Sequence, residues 1–318
     1  MKTIIRFAAA LALALTGAAQ AQNLSIATGG TGGVYYPLGG GMAAVFSKFI
    51  PGMQATAEVT GGSVANLQLI GTGKPYIALT MVDAAVDAYK GQDKFTGKAV
   101  PVRTLMVLYP NHMQIATVEG TGITKMSDLK GKRVSTGSGG SATEVMAFRI
   151  IEAAGMDKDK DMKRERLGAS ESVGALKDGK IDAFFFVGGL PTSALTDLAN
   201  TPGKKIKMID HADLVPAMNK KYGDLYVKDI IPKDTYKGMD ADNHQATVMN
   251  TLVAHQSMDE KTAYNIVKAI FDHREDLIRV HKEAANFKLE NQKTAATGGI
   301  PWHPGALKYF KEKGVKLD

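Results

Sequence analysis

LSIATGGTGGVYYP, residues 24 to 37, holds three elements in order. Leu24 and Ile26 are the apolar positions of a short strand. Gly29, Gly30, Thr31, Gly32 and Gly33 form a loop, and Val34, Leu38, Met42, Val45 and Phe49 then recur at helical spacing. A strand, glycine loop and helix in that order leave unpaired backbone N–H groups at the helix N-terminus, where the helix dipole favours negative charge. Glycine lets the backbone approach a bound group closely and adopt positive φ. Taken alone, one such loop is equally a tight strand-to-helix turn. The chain makes it twice more.

Gln54 to Val59 reads as a strand that enters Thr60-Gly61-Gly62-Ser63, with Ser63 placed as the N-cap of a helix carrying Val64, Leu67 and Ile70 and stopped by Gly71. Tyr76 to Val82 is continuously apolar, as in a buried parallel strand, and Asp83 starts a helix ending near Gly91. This βαβαβα order predicts a parallel sheet with helices on both faces. Arg103 to Tyr109 and Met113 to Val118 read as two strands interrupted by Pro110, where the chain leaves one sheet for another. Lys132 to Ser135 is the strand of the third unit; it enters Gly137-Ser138-Gly139-Gly140-Ser141 ahead of a helix with Ala142, Met146, Ile150 and Ala153 on one face. Ser170 to Lys177 reads as a helix, and Ile181 to Val187 as a buried strand opening onto Gly188-Gly189-Leu190-Pro191. Residues 210 to 246 read as irregular, Thr247 to Ala254 as a strand returning to the first sheet, and the remainder as helices.

The predicted architecture is α/β: two α/β lobes joined by strand-like hinges, the first made of residues 22–108 plus 248–318 and the second of 109–247. Ligands of open α/β sheets bind beyond the C-terminal strand ends, and every glycine loop lies there. The first loop contributes Gly30, Thr31 and Gly32, with Tyr35 and Tyr36 as candidate walls. From the second come Gly62, Ser63 and Asn66, with Asp83 at the head of the following helix. The third offers Ser138, Gly140, Ser141, Ala142 and Thr143, and Gly188 and Gly189 complete the set. Short hydroxyls and backbone N–H groups in these positions suit carboxylate or phosphate oxygens.

Composition agrees with a globular chain: 318 residues, 44% hydrophobic, 22% charged, with 34 glycines. Lys2 and Arg6, the apolar run Phe7 to Leu15 and Ala19-Gln20-Ala21 form the pattern of a signal peptide, residues 1–21, cut after Ala21. An exported, periplasmic protein is therefore expected. The chain has no cysteine, which removes disulfides and thiolate metal sites. Its formal charge of +7 becomes +5 without Lys2 and Arg6, and no arginine-rich run suggests nucleic acid. Met156 to Arg166, MDKDKDMKRER, alternates in sign and reads as a solvated surface segment.

Catalytic patterns are missed one by one. Neither Gly61-Gly62-Ser63-Val64-Ala65 nor Gly137-Ser138-Gly139-Gly140-Ser141 is a G-x-S-x-G elbow. The stretch Gly91 to Ala99 has its glycines one residue too far apart for a P-loop, and Gly137-x-Gly139 lacks the third glycine of a dinucleotide fingerprint. The seven histidines form no metal-binding pair, and His303 reads as part of a turn. Glu144 and Asp83 read as first-turn charges complementing the helix dipole. No cofactor or metal is expected.

TGGTGGVYYPLGGG (28–41), TGGSVANL (60–67), LKGKRVSTGSGGSATE (129–144), DGKIDAFFF (178–186) and HPGALKYFKEKG (303–314) together resemble the TAXI family, the solute receptors of tripartite ATP-independent periplasmic (TRAP) transporters. The motifs are collinear over essentially the whole chain after residue 21. The family's glycine-rich loop stands here as Gly140-Ser141-Ala142-Thr143-Glu144, with alanine for its second glycine, and Trp302 replaces a smaller aliphatic residue. The resemblance implies a type II periplasmic-binding-protein fold, a glutamate-like amino acid or a dicarboxylate such as 2-oxoglutarate closed between the lobes, and delivery to a TRAP permease. It thus implies a monomeric, non-catalytic receptor. Two other readings stay open: a ligand sensor presented to a membrane kinase, and a periplasmic hydrolase using Ser63 or Ser141. Arg103, Arg133 and Arg149 are the nearest candidates for a carboxylate clamp.

Overall fold

The computed structural model describes residues 22–318, so the expected signal segment lies outside the described residues. The chain begins β1 (Gln22–Ala27), α1 (Tyr35–Phe49), β2 (Met53–Glu58), α2 (Ser63–Ile70), β3 (Tyr76–Met81) and α3 (Val82–Lys90). The long strand β4 (Val102–Val118) leads into β5 (Arg133–Ser135), α4 (Ala142–Ala153), β6 (Lys163–Glu165), α5 (Ala169–Lys177), β7 (Ala183–Gly188) and α6 (Ser193–Ala199). Next come β8 (Ile206–Met208), α7 (Val215–Tyr222), β9 (Tyr226–Ile231) and the second long strand, β10 (Asn243–His255). The chain closes with α8 (Glu260–Asp272), α9 (Arg274–Val280) and α10 (Pro304–Glu312). No helix among the described residues is long and apolar enough to cross a membrane.

One sheet runs through the molecule in the order β2-β1-β3-β10-β4-β7-β5-β6, with β8 beside β4 and β9 beside β10. Pairing is parallel for β2-β1-β3 and for β7-β5-β6, as the repeated strand-loop-helix units require, and antiparallel wherever β4 or β10 takes part. The two long strands serve both halves. Residues 250–254 of β10 pair with β3, and residues 243–248 pair with β9. Likewise β4 pairs with the C-terminal half of β10 through residues 102–107 and with β7 through residues 112–117.

Pro110 does not end a strand; β4 passes straight through it. Next to the proline the register shifts: Met249 faces Pro110 and Thr251 faces Val107, so Asn250 alone opposes Leu108 and Tyr109 of β4. A bulge is where a residue without an N–H can sit inside a ladder. The stretch 210–246 is likewise more regular than its prolines and glycines suggest, since it holds α7 and β9. Pro216 lies in the first turn of α7, where its missing N–H costs no hydrogen bond.

Apolar periodicity sets the layers. Leu38, Met42 and Phe46 of α1 pack on Leu24 and Ile26 of β1, together with Ile266 of α8 and Phe310 of α10. Gly39 is required by close approach: a β-carbon there would lie 2.4 Å from Thr28 Cγ2. In the second half, Val173 and Leu176 of α5 and Leu195 of α6 cover Phe184 of β7. A third cluster joins the halves, with Val64, Leu67 and Met81 on one side and Val134, Met146 and Phe185 on the other.

Met156 to Arg166 is only partly a solvated segment. Met156 and Met162 are buried, and β6 within it pairs with β5. Its arginines reach over the buried Glu144 carboxylate: Arg166 Nε, on a side chain 54% exposed, donates to it at 2.7 Å and Arg164 Nη1 at 3.3 Å. Glu144 is therefore a buried ion-pair partner in the first turn of α4, beyond its favourable place on the helix dipole.

Candidate functional site

Four loops meet where the long strands cross, and they enclose a cavity of about 240 Å³, room for a small organic molecule. Gly29, Gly30 and Gly33 form one wall, and Gly61, Gly62 and Ser63 the next. Ser138, Ser141, Ala142 and Thr143 at the head of α4, Gly168, Ala169 and Glu171 at the head of α5, and Val187 with Gly188 supply the opposite side. Tyr35, Tyr109 and Asn111 also line the space, and Val59, Met81 and Phe186 make it partly apolar.

Helix starts give the cavity its polarity. Gly62, at φ 114°, precedes α2 without a side-chain cap, so the N–H groups of Ser63 and Val64 have no partner among the described residues. At α4, Ser141 Oγ accepts from Glu144 N at 3.1 Å and leaves the N–H groups of Ala142 and Thr143 open. Both helices therefore present donors and a positive dipole end to one space.

The crossing strands supply a relay of amides. Tyr35 OH donates to Asn250 Oδ1, which also accepts from Asn111 Nδ2 at 2.9 Å, while Asn250 Nδ2 donates to the Tyr109 carbonyl at 3.3 Å. On the cavity lining, Tyr109 OH and Asn111 Oδ1 are buried without a hydrogen-bond partner among the described residues. Burial pushes the phenols of Tyr35 and Tyr109 well above their ordinary range, so both stay neutral donors.

The halves touch across the cavity. Ala65 N donates to Gly140 O at 3.0 Å, Ser138 Oγ to Gly61 O at 2.9 Å, and Ala194 N to Gly32 O at 3.2 Å. Leu190 N donates to Glu283 Oε1 at 2.6 Å on the far rim.

Of the sixteen residues expected at the ligand, nine line the cavity: Gly30, Tyr35, Gly62, Ser63, Ser138, Ser141, Ala142, Thr143 and Gly188. The hydroxyls among them are engaged within the protein, Ser63 Oγ accepting from Met81 N at 3.2 Å and Ser141 Oγ donating to Ser138 O at 2.7 Å. Ser63 is thus the first residue of α2, not its N-cap, which is Gly62. The other seven lie off the wall. Thr31 and Tyr36 are exposed on the outside of the loop. Gly32 packs on Ser170 and Ala194, Gly140 on Ala65, and Gly189 on Tyr109 and Glu283.

Asn66 and Asp83 stand behind the wall. Asn66 Nδ2 donates to Thr28 O at 2.6 Å and Leu79 O at 2.8 Å, and its Oδ1 accepts from Thr60 Oγ1 at 2.6 Å, tying β1, β3 and the second loop together. Asn66→Leu strands those carbonyls in a dry interior, and a loss of about 2 kcal/mol in urea-unfolding free energy is expected. An unchanged midpoint would remove this role.

Asp83 accepts from Tyr226 OH at 2.8 Å, and Tyr226 OH also accepts from Arg149 Nη1 at 2.8 Å. Arg149 Nη2 binds Asp87, and its guanidinium lies 4.4 Å from the Tyr222 ring centre. Burial raises the carboxyls of Asp83 and Asp87, the latter to about 6, while Arg149 opposes both shifts. The candidate clamp arginines are thus all occupied elsewhere: Arg149 here, Arg133 on Asp182 at 2.6 Å, and Arg103 on Gln256 at 3.0 Å.

Tyr109, Asn111, Phe186 and Glu171 were not signalled as site residues by the sequence. Glu171 is the one charged side chain on the cavity wall among the described residues. No group of three His, Asp or Glu among those residues is placed to hold a metal.

A model of the NMT1-like family matches residues 26–314. Among solved structures, the periplasmic binding protein BugD is similar at 13% identity and a TM-score of 0.57, over 93% of this chain and 98% of that one. A protein from Bordetella bronchiseptica RB50 is similar at 17% identity and TM-score 0.54, over 92% of this chain and 89% of its own. A Listeria monocytogenes chain assigned to L-cystine ABC transport is similar at 18% identity and TM-score 0.50, over 84% and 98% respectively. These likenesses agree in fold: two α/β lobes of the periplasmic-binding-protein kind with a cleft between them.

Proposed function

Because the chain belongs to the NMT1-like family and closes two lobes over a small cavity, we propose that it is a non-catalytic solute receptor of the periplasm. Its ligand is a small organic acid, a glutamate-like amino acid or a dicarboxylate such as 2-oxoglutarate. The observation that carries this reading is the convergence of the open N–H groups of Ser63, Val64, Ala142 and Thr143 on one enclosed space. We place the lobe boundaries at 22–108 plus 248–318 and at 109–247, the long strands acting as the hinge. Ligand then stabilises the closed state over the open one.

Delivery to a TRAP permease is supported by the collinear motifs that resemble TAXI receptors, and an ABC permease is the alternative suggested by the Listeria likeness. Reconstituted uptake that follows an imposed ion gradient without ATP supports the former; strict dependence on ATP refutes it. The ligand class is tested by a thermal-shift screen against amino acids, dicarboxylates, sugars and inorganic phosphate. At one hundred times Kd an acid ligand stabilises by about 2.7 kcal/mol. A shift with sugars alone would overturn the acid reading.

A further inference from the structure

The cavity has a charged side as well as a dipolar one. Glu171, in the first turn of α5, is solvent-exposed and lines the same cavity as the helix starts of α2 and α4, and it forms no hydrogen bond or ion pair among the described residues. Its carboxylate folds over Gly168, which also lines the cavity; a β-carbon on Gly168 would fall 2.5 Å from Glu171 Oε2. The cations nearest in sequence, Arg166 and Lys177, are held by Glu144 and Asp197 and are not on the wall. Tyr109 OH and Asn111 Oδ1 add two buried, unpartnered polar atoms that are neutral.

From this we infer that Glu171 is a specificity-determining residue: it receives a positively charged amine of the ligand and excludes dicarboxylates that lack one. The inference rests on the acid-receptor reading and deepens it. A carboxylate lies against the N–H groups of α2 and α4, and an ammonium lies against Glu171, so the cavity is complementary to a zwitterion. A 2-oxo dicarboxylate of the same length carries the same two carboxylates but lacks the ammonium, so nothing in the ligand or on the wall offsets the charge of Glu171.

Isothermal titration of the mature protein with L-glutamate, 2-oxoglutarate and 2-hydroxyglutarate tests this, because the three differ only at one carbon. The amino member is expected to bind at least about tenfold more tightly than the other two. In Glu171→Gln, which keeps the shape and removes the charge, that preference is expected to fall to about twofold, the amino member weakening and the oxo member strengthening. Equal or tighter binding of 2-oxoglutarate by the unaltered protein overturns the role of Glu171, as does a preference unchanged in Glu171→Gln. In both cases an acid still binds and the receptor reading stands. Binding of none of the three, with sugars binding instead, overturns both.

Discussion

Gly61→Ala is expected to weaken ligand binding by about a hundredfold or more while leaving the unfolding midpoint of the ligand-free protein unchanged. A β-carbon at Gly61 would lie 2.5 Å from the Gly139 carbonyl oxygen and 3.6 Å from Gly140 Cα. Both neighbours are backbone from across the cleft, so no side chain can swing away to make room. Parting the lobes relieves the clash at once, which is why folding is spared and closure is not. The cost therefore falls on the competent population: a receptor that is closed only one time in a hundred binds a hundred times more weakly. Gly40→Ala, where an added β-carbon meets nothing within 4 Å, is the matched control. Titration of both variants checks the claim, and Gly61→Ala binding like the parent would show that closure does not pass through this contact.

The largest expected loss of stability is at Arg149. Arg149→Met keeps much of the side-chain bulk but leaves Asp83 and Asp87 buried without their cation, at an expected cost of about 3–5 kcal/mol near pH 8. The cost should depend on pH in a defined direction. Burial already holds Asp87 at about 6, above its unfolded value, so the folded protein keeps a proton that the unfolded chain releases near pH 4. The stability this group contributes is present at low pH and declines as pH rises through 6. Without Arg149 both carboxyls titrate higher still, so the variant's deficit is smaller at pH 5, where they are more fully protonated, and grows towards pH 8. Urea unfolding at the two values measures it. An equal deficit at both would mean that packing against Tyr222, not charge, carries the effect.

Local patterns made most of the fold legible. The strand-loop-helix units at Leu24, Gln54 and Lys132 could be read from apolar spacing and glycine, because both act within a few residues. Pro110 could not be read correctly: whether a proline ends a strand depends on the register of its partner, and that partner, Met249, is far away in the chain. The alternating charges of residues 156 to 166 look solvated until Glu144 is placed beneath Arg164 and Arg166. The site divides in the same way. Backbone positions such as Gly62 and Ala142 follow from the loop geometry that the sequence encodes. Tyr109, Asn111 and Glu171 reach the cavity from a crossing strand and a helix start that carry no glycine signature, and only the tertiary arrangement brings them there. Asn66 and Asp83 lie in the right loops, yet their side chains point into the protein and brace the wall.

The central position of β10 also governs the order in which the protein can fold. It is the last strand in the chain, yet it lies between β3 and β4 in the sheet. A nascent chain that has delivered only the first 242 residues holds every described strand but this one, with the facing edges of β3 and β4 unpaired. Those edges are rich in buried apolar residues such as Leu79, Met81, Leu105 and Val107, and open edges of this kind pair readily with other chains. The second lobe's parallel strands β5, β6 and β7 are contiguous and can assemble early, but the first lobe closes only when residues 243 to 255 arrive. Its rate-limiting contacts are therefore long-range ones, which makes it the slower-folding and more aggregation-exposed half.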